Sequence, residues 1–258
     1  MRSEASVLTE QRKRLIMERL LADGRIVAKE LSAELGVSED TIRRDLRDLS
    51  GEGKLQRVHG GALPSSPALA DFAGRERISL SIKDSIGKAA ASLVRDGQVI
   101  CIDGGTSTAR MVRHFPQELR ATVVTHSPSV AMELVPFPKI EVILFGGRLF
   151  RHSIVAVGAS TAASIADIRA DLFFMGATGI HPESGVTTGD FEEAAIKRAF
   201  CAAAAETVLL ASTEKLGAVS PYLIVPLGAI ATLVVEGNLD GAIAERLRAA
   251  GPDIVFAR

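Results

Sequence analysis

Residues that could bind an anion occur together at positions 103–108, where the sequence reads Asp-Gly-Gly-Thr-Ser-Thr. The glycines leave backbone N–H groups accessible, and the hydroxyls fall at the predicted start of a helix, where an anion is favoured. The run has neither the GxGxxG spacing of a dinucleotide-binding loop nor the Gly-Lys-Ser/Thr of a P-loop. We therefore expect it to hold a phosphate on a molecule smaller than a dinucleotide. A tight glycine turn from strand to helix is the structural alternative.

Three other segments carry residues that could contact the same ligand. Ser127 follows a predicted strand within Thr-His-Ser, Gly146 and Gly147 lie in Phe-Gly-Gly-Arg, and Lys215 lies just past a further strand. Each has an ordinary alternative, namely helix capping for the serine, a plain turn for the glycines and solvated surface for the lysine. The complete set of candidate ligand-binding residues is Asp103, Gly104, Gly105, Thr106, Ser107, Thr108, Ser127, Gly146, Gly147 and Lys215.

A second group of candidate functional residues is basic and lies near the N-terminus. Ser38 is a favoured N-cap, so a helix is predicted to begin there with apolar residues at helical spacing. At about 100° per residue, three arginines share the face opposite the apolar side, and Asp45 lies at the flank, where pairing with a neighbouring helix is easiest. Arginine can pair with guanine or phosphate, so this face suits the major groove of DNA, whereas the alternative is a solvated charged face. The arginines are Arg43, Arg44 and Arg47.

The elements around this helix predict a winged helix-turn-helix. A first helix is expected over about 10–22, with Thr9 as its N-cap, and a second helix is expected to end at Gly36. After the arginine-bearing helix, a hairpin is expected to carry Arg57 and His59. A helix pair, a glycine turn and a basic hairpin together favour DNA binding over a merely solvated surface.

From about residue 82 the pattern changes to short apolar strands that alternate with alanine-rich helices. This alternation predicts a mainly parallel sheet covered on both faces, in which ligands bind at the carboxyl ends of the strands. The candidate phosphate loop directly follows the first of these strands. The predicted strands span 99–102, 122–125, 141–145, 171–175, 207–211, 232–235 and 254–256.

The composition limits the classes of protein that the chain could be. It has 258 residues, of which 47% are apolar, and a formal net charge of -1, which excludes a disordered or coiled-coil chain. Any DNA-binding surface must therefore be local. Two distant cysteines and five scattered histidines show no metal-ligand spacing, so neither a metal nor a cofactor is expected. No apolar stretch is long enough for a signal peptide or a membrane span, so a cytoplasmic protein without a membrane partner is expected.

Charge density divides the chain into two parts. Residues 1–63 hold 12 Lys and Arg and 11 Asp and Glu, which is a higher density than in the remaining residues. A Pro/Ser/Ala segment without periodicity separates the two and predicts a linker. We therefore expect a DNA-binding domain at 1–63, a linker at 64–76 and an α/β domain at 77–258.

Several ordered segments resemble the DeoR family of bacterial transcriptional regulators. In the N-terminal part, Ser-x-x-Thr-Ile-Arg-Arg-Asp-Leu begins at Ser38, and Arg-x-His-Gly-Gly-Ala begins at Arg57. In the C-terminal part, Asp-Gly-Gly-Thr-Ser-Thr, Phe-Gly-Gly, Gly-Val-Thr-Thr with Glu193 and Lys197, and Glu-Lys-Leu-Gly all look like the family's sensor domain. The resemblance extends over nearly the whole chain.

The resemblance implies a small N-terminal winged helix-turn-helix domain and a larger C-terminal Rossmann-like, mainly parallel α/β sensor domain. That sensor is similar in fold to ribose-5-phosphate isomerase and glucosamine-6-phosphate deaminase. The implied function is a repressor of a carbohydrate operon that binds double-stranded operator DNA as a homodimer or homotetramer and is released by a phosphorylated sugar or related metabolite. With the arginine face, the expected DNA-binding residues are Ser38, Thr41, Arg43, Arg44, Arg47, Arg57 and His59.

The alternative function is a sugar-phosphate isomerase or deaminase with a DNA-binding appendage. Such an enzyme needs an acid or base positioned near the sugar carbons. Where pentose-phosphate isomerases carry Asp-Gly-Ala-Asp, residues 175–178 here read Met-Gly-Ala-Thr, without either carboxylate. We therefore expect a sensor rather than an enzyme, with no catalytic residues.

Overall fold

A computed structural model of the chain describes residues 3–64 and 79–258. Within these ranges, no helix combines the length and the apolar character that a membrane span requires. Apart from Pro64, the predicted linker at 64–76 lies outside the described residues, and the domain boundaries stay a prediction.

The N-terminal part has the element order of a winged helix-turn-helix. Its three strands form an antiparallel sheet in the order β1-β3-β2, and its helices bury an apolar cluster that includes Ile16, Ile42 and Leu46. The elements are α1 (Ser3–Asp23), β1 (Ile26–Val27), α2 (Ala28–Leu35), α3 (Glu39–Gly51), β2 (Leu55–Val58) and β3 (Gly61–Pro64).

Local residue chemistry sets the ends of these helices. Helix α2 ends because Gly36 adopts a φ of 63°, and α3 begins where Ser38 Oγ accepts a hydrogen bond of 3.2 Å from the Thr41 N–H. Both ends were predicted and are confirmed. The prediction for α1 was wrong at its start, because α1 begins at Ser3 and Thr9 lies inside it. The residues before Thr9 include good helix formers and neither glycine nor proline.

The second part of the chain is built on a sheet of seven parallel strands in the order β15-β14-β12-β9-β4-β5-β6. All seven strands predicted from the sequence are confirmed. In chain order the strands of this part are β4 (Val99–Ile102), β5 (Ala121–Thr125), β6 (Ile140–Leu144), β7 (Arg148–Phe150), β8 (Val155–Val157), β9 (Ala170–Gly176), β10 (Gly179–His181), β11 (Gly185–Thr188), β12 (Ala204–Leu210), β13 (Tyr222–Val225), β14 (Thr232–Glu236) and β15 (Asp253–Ala257).

Helices cover both faces of this sheet. Consecutive residues Phe173 and Phe174 on β9 are fully buried in two different apolar clusters, one with Phe200 and the other with Ile86. Successive side chains of a strand point to opposite faces, so each face has its own core. The helices are α4 (Leu80–Ala91), α5 (Thr106–Val112), α6 (Pro128–Leu134), α7 (Ala159–Ala166), α8 (Phe191–Ala203) and α9 (Gly241–Ala249).

In this second part of the chain, five short strands were not predicted. Strands β7 and β8 form a hairpin, and β10, β11 and β13 form a small antiparallel sheet. They have three or four residues each, and β11 pairs with β13 across a long stretch of chain, as Val186 with Val225. Such pairings leave no local periodicity in the sequence.

The strand order reverses between β4 and β9. After β4, the next strands β5 and β6 are added on one side of it. The chain then returns to place β9 on the other side of β4, and β12, β14 and β15 follow outward from β9. A crevice forms at the carboxyl ends of the strands where the order reverses, and ligands bind there in open α/β sheets. The predicted phosphate loop at 103–108 follows β4 and therefore lies at this crevice.

A buried ion pair joins α1 to α3. Asp45 is buried, and Arg12 holds both of its oxygens, with Nη2 donating to Oδ1 at 3.0 Å and Nε donating to Oδ2. These hydrogen bonds raise the pKa of the Arg12 guanidinium above its ordinary value. The prediction that Asp45 pairs with a neighbouring helix is confirmed. The pair fixes the orientation of α3 and of its arginine face.

We expect Arg12→Met to destabilise the N-terminal part by about 3 kcal/mol, because it leaves the Asp45 carboxylate buried without its partner. Hydrogen exchange of the α3 amides would measure the loss. Arg14→Met is the matched control, since Arg14 is exposed and lies 3.8 Å from Glu18 in a surface pair, and it should change stability by less than about 0.5 kcal/mol. Equal loss of protection in the two variants would contradict this role of Arg12.

Candidate functional site

A cleft lies at the carboxyl ends of β4, β9 and β12. Its empty volume is about 520 Å³, part of which is open to solvent. The loop after β4 forms one wall, and residues from α4, α8 and the loops after β9 and β12 form the rest. The lining residues are Lys83, Gly104, Gly105, Thr106, Ser107, Thr108, Gly176, Ala177, Thr178, Thr188, Glu193, Lys197, Glu214 and Lys215.

Two positions in the loop after β4 require glycine. Gly105 has a φ of 146°, which L side chains rarely adopt. A Cβ at Gly104 would lie 2.1 Å from Cγ1 of Val155. The loop therefore packs closely against β8, and its residues 104–108 line the cleft. Helix α5 has only seven residues, so the groups that could bind an anion are the loop's N–H groups and hydroxyls rather than a long helix dipole.

The hydroxyls of this loop differ in how they are bonded. Thr108 Oγ1 donates to the Gly105 carbonyl at 3.0 Å. Within the described part of the chain, the Oγ of Ser107 is buried without a hydrogen-bond partner. A buried polar atom left unpaired costs free energy, and such atoms are rare in folded proteins. Because Ser107 lines the cleft, a bound ligand would satisfy this hydroxyl.

Beneath the cleft floor lies a buried network centred on Asp103. Its Oδ2 accepts from the Gly176 N–H at 3.0 Å and forms a salt bridge with Lys197. Its Oδ1 lies 3.1 Å from Nε2 of His126, whose Nδ1 lies 2.8 Å from the Ala156 carbonyl oxygen. One carboxylate thus joins the ends of β4, β5 and β9 to α8.

Burial by itself would raise the pKa of the Asp103 carboxyl, because it disfavours the charged form. The positive charge of Lys197 and the hydrogen bond from His126 outweigh burial and lower this pKa to about 2. Asp103 is therefore an ionised carboxylate, and its partners offset the free-energy cost of burying its charge.

The cleft also contains three lysines from three separate elements. Lys83 comes from α4, Lys197 from α8, and Lys215 from the 3-10 turn Thr213–Lys215 that follows β12. All three are buried. Cations and loop N–H groups at a strand-order reversal are the groups with which proteins bind anions.

Most of the predicted ligand-binding residues lie at this cleft. Gly104 to Thr108 and Lys215 line it, and Asp103 lies beneath it. Three others do not line it. Ser127 Oγ donates to the Ile154 carbonyl at 3.1 Å, the Gly146 carbonyl accepts from Thr161 at 2.9 Å, and a Cβ at Gly147 would lie 2.1 Å from Thr161 Oγ1. These contacts hold loops together, as the plain turn given as the alternative for Gly146 and Gly147 would. For Ser127 the alternative was helix capping, but its side chain makes no capping hydrogen bond at the start of α6.

Other lining residues were not among the predicted ones. Glu193 and Lys197 lie four apart on α8, a spacing that places two side chains on one helix face and that could have drawn attention to them. Lys83 carries no such signal, because a single lysine in a helix is usually solvated. The lining residues outside the predicted set are Lys83, Gly176, Ala177, Thr178, Thr188, Glu193, Lys197 and Glu214.

The predicted DNA-binding residues lie on α3, at its N-cap and on the hairpin that follows. Arg44 and Arg47 are exposed, and Arg43 is exposed in an ion pair of 2.8 Å with Glu39. Ser38 Oγ lies 2.9 Å from Thr41 Oγ1, so these hydroxyls also stabilise the start of α3. Arg57 lies on β2 and His59 in the turn after it, and both are exposed.

Comparison with known proteins identifies both parts of the chain. Residues 12–67 match the DeoR-like helix-turn-helix domain, and residues 79–237 match the DeoR C terminal sensor domain. The chain belongs to the DeoR family. The resemblance seen in its motifs is thereby confirmed, as is the prediction of a helix-turn-helix followed by an α/β sensor.

Several DeoR-type relatives match along nearly the full length. The "HTH-type transcriptional regulator GlpR" of Haloferax volcanii is 36% identical over 96% of this chain and 98% of its own. The "Putative aga operon transcriptional repressor" of Escherichia coli O157:H7 is 30% identical over 96% and 94%, and the "HTH-type transcriptional repressor GlcR" of Bacillus subtilis is 30% identical over 95% of each chain. The protein is thus a DNA-binding transcriptional regulator and not an enzyme, as predicted.

Among solved structures, ribose 5-phosphate isomerase A from Methanocaldococcus jannaschii matches over 53% of this chain and 54% of its own. The sequence identity is 20% and the TM-score is 0.40.

We expect the Asp103 network to make the stability of this DeoR-type sensor depend on pH in acid. A carboxyl whose pKa is lower in the folded than in the unfolded state stabilises the fold at pH values above its unfolded pKa. This contribution to stability is lost as the pH falls through the folded pKa. From about pH 4 to about pH 2, the free energy of unfolding should fall by on the order of 2 kcal/mol on account of Asp103.

Urea unfolding at a series of pH values would measure this loss. The double variant Asp103→Asn/Lys197→Met removes both charges of the pair, and its stability should lack this part of the acid dependence. An identical dependence in both proteins would show that Asp103 is not the group that titrates.

Proposed function

We propose that this DeoR-type regulator is a repressor of a carbohydrate operon whose hold on operator DNA is released by a phosphorylated sugar or related metabolite bound in the cleft. The observation that carries the proposal is the buried Ser107 hydroxyl, which lines the cleft and has no hydrogen-bond partner within the described residues. A phosphate oxygen would accept a hydrogen bond from the Ser107 hydroxyl and so supply the missing partner.

The surroundings of Ser107 favour a phosphate over other small groups. The glycines before it bring backbone N–H groups to the cleft, and lysines come from α4 and from the turn after β12. Fixed N–H groups and ammonium groups around one point suit a compact group with several acceptor oxygens. The strand-order reversal places all of them at one crevice.

The names of two relatives support repression as the mode of action, since they are named repressors. For the DNA, we place Arg44 and Arg47 in the major groove with Arg43, Ser38 and Thr41 beside them. Arg57 and His59 would contact the backbone from the wing. A homodimer or homotetramer in the cytoplasm would set two such helices on the half-sites of a double-stranded operator.

Binding of the metabolite would change the relative populations of the domain arrangements and so lower the affinity for operator DNA. We assign the coupling to the linker segment 64–70 and to Arg75-Glu76-Arg77 after it, which lie outside the described residues apart from Pro64.

Replacing Ser107 should weaken ligand binding without weakening the fold. In Ser107→Ala, affinity for a phosphorylated sugar should fall about tenfold, because one hydrogen bond is lost. The stability of the unliganded protein should stay the same or rise slightly, since the hydroxyl has no partner to lose. Titration calorimetry and thermal melting would measure the two effects.

Ser164→Ala is the matched control for this experiment. Its hydroxyl lies on the exposed side of α7 and donates to the Ser160 carbonyl at 3.1 Å, away from the cleft. The control should bind ligand like the wild type. Undiminished ligand affinity in Ser107→Ala would contradict the assignment of the cleft as the ligand-binding site.

Removing an arginine of the α3 face should weaken operator binding. Arg44→Ala should cost on the order of 1 to 3 kcal/mol if the guanidinium reads a base, and the loss should be smaller on unrelated DNA. Fluorescence anisotropy with operator and scrambled duplexes would measure this. Arg248→Ala makes the same charge change at an exposed position on α9, and it should leave affinity unchanged. If both variants bind alike, Arg44 is not a recognition residue.

A further inference from the structure

One edge of the seven-stranded sheet is apolar and open. Strand β6 pairs with β5 on one side, and within the described part of the chain no strand pairs with its other side. It reads Ile-Glu-Val-Ile-Leu, which is typical of a strand that a parallel sheet buries on both faces. From 141 to 149, however, every residue is exposed except Phe145, which is partly buried. An edge strand of this kind is a template for pairing with another strand.

The devices that usually protect such an edge are missing from β6. Natural proteins place charges, proline or a bulge on an open edge strand. After Glu141 the strand has neither a charge nor a proline, and its register with β5 is unbroken. The Glu141 carboxylate itself accepts a hydrogen bond of 3.2 Å from Thr122 Oγ1 on the neighbouring strand β5. The open side of β6 is thus left free for pairing.

The backbone of β6 presents hydrogen-bonding groups at this edge. The Phe145 N–H donates to the Thr125 carbonyl of β5 at 2.8 Å. Alternate residues of a strand direct their N–H and C=O groups to opposite sides. Those of Val142 and Leu144 therefore point away from β5, where a further strand could bond to them.

Exposed apolar side chains surround the open edge and form what we call the edge patch. Met132 on α6 is 70% exposed, and Val135 just after α6 is 72% exposed. From these exposed fractions the patch offers on the order of 500 Å² per copy, against about 800 Å² per partner in an interface of standard size, main chain included. The edge patch consists of Met132, Val135, Val142, Ile143, Leu144 and Leu149.

An antiparallel copy of β6 fits this edge about a two-fold axis beside Ile143. Val142 then lies opposite Leu144 of the copy, and Leu144 opposite its Val142, so that all the outward backbone groups of these residues are bonded. Ile143 faces its own counterpart, and Glu141 faces Phe145. No like charges lie opposite each other, so the strand is complementary to itself.

The neighbouring register, centred on Val142, is less favourable. It places Leu144 opposite Ile140, whose N–H already donates to the Phe137 carbonyl at 3.2 Å. A hydrogen bond would be lost at each end of the pairing. The register about Ile143 uses only groups that face outward.

We propose that β6 pairs with β6 of a second copy of this chain, antiparallel about a two-fold axis beside Ile143, so that the two parallel sheets become one continuous sheet. The axis is perpendicular to the sheet, so both α6 helices lie on the same face and bring Met132 and Val135 towards their counterparts. The inference rests on the proposed function, which requires two copies on one operator, and it names the surface that joins them.

Sedimentation velocity of the full chain at micromolar concentration tests this interface. The wild type should be a dimer or a tetramer. Ile143→Lys sets two ammonium groups against each other at the axis and should halve the mass. Leu223→Lys is the matched control, because Leu223 is equally apolar, exposed and on β13, the open edge of the small sheet. It should keep the wild-type mass.

A charge exchange shows that the variants are folded. Ile143→Glu should halve the mass as Ile143→Lys does. A mixture of the two variants should restore the wild-type mass, since opposite charges then meet at the axis. If the mixture keeps the lower mass, the pairing about Ile143 is overturned.

A disulfide tests the register directly. Opposite residues in a non-hydrogen-bonded antiparallel pair have Cα atoms about 4.5 Å apart, which lies within the span of a disulfide. Ile143→Cys should therefore form a covalent dimer on mild oxidation, seen by non-reducing electrophoresis. Leu223→Cys should remain a single chain. A covalent dimer in the control alone would contradict the assigned surface.

The outcomes separate this inference from the function beneath it. If Ile143→Lys keeps the wild-type mass, or if Leu223→Lys alone lowers it, the β6 interface is overturned while the homo-oligomer stands on another surface. If the wild type sediments as a monomer, the β6 interface and the proposed homo-oligomer fail together, and the effector cleft is unaffected.

Discussion

The cleft of this regulator depends on one buried carboxylate, that of Asp103. It binds the Gly176 N–H, Lys197 and His126, so it fixes the carboxyl ends of β4, β9 and β5 and one face of α8 relative to each other. A buried charge is tolerated only when its partners replace the lost water, and here three partners do so. The loop that carries Ser107 begins at the next residue. Its geometry is therefore set before any ligand arrives, which reduces the ordering that a ligand would have to impose.

The sequence predicted those features that have a local cause. Alternation of apolar runs and helices revealed every strand of the parallel sheet, and the spacing of Arg43, Arg44 and Arg47 revealed a shared face. The glycines at 104 and 105 were recognisable because few other residues fit such a turn. Asp45 was placed correctly by angle alone, since a helix position at the edge of an apolar stripe leaves few neighbours to pair with.

The missed features have causes that lie far away along the chain. Lys197 is 94 residues from Asp103, so neither residue alone indicates the other. Lys83 enters the cleft only because α4 packs against α5 and against β12, β14 and β15, and no local pattern in the sequence indicates this packing. The hydroxyl of Ser127 resembles that of Ser107 in sequence, but the first is bonded to Ser129 and Ile154 and the second has no bond within the described residues. Only tertiary structure distinguishes them.

The position of Lys83 in the chain connects the cleft to the DNA-binding part. Lys83 belongs to α4, the first helix described after residues 65–78, and it lies 19 residues after Pro64, the last residue of β3. Among the cleft residues described, it has the shortest covalent path to the winged helix-turn-helix. An anion bound at Lys83 would act on the same helix from which the chain leads back to the DNA-binding part. Through Lys83, the cleft is thus linked to the winged helix-turn-helix by a short stretch of chain, although the other cleft residues follow later in the sequence.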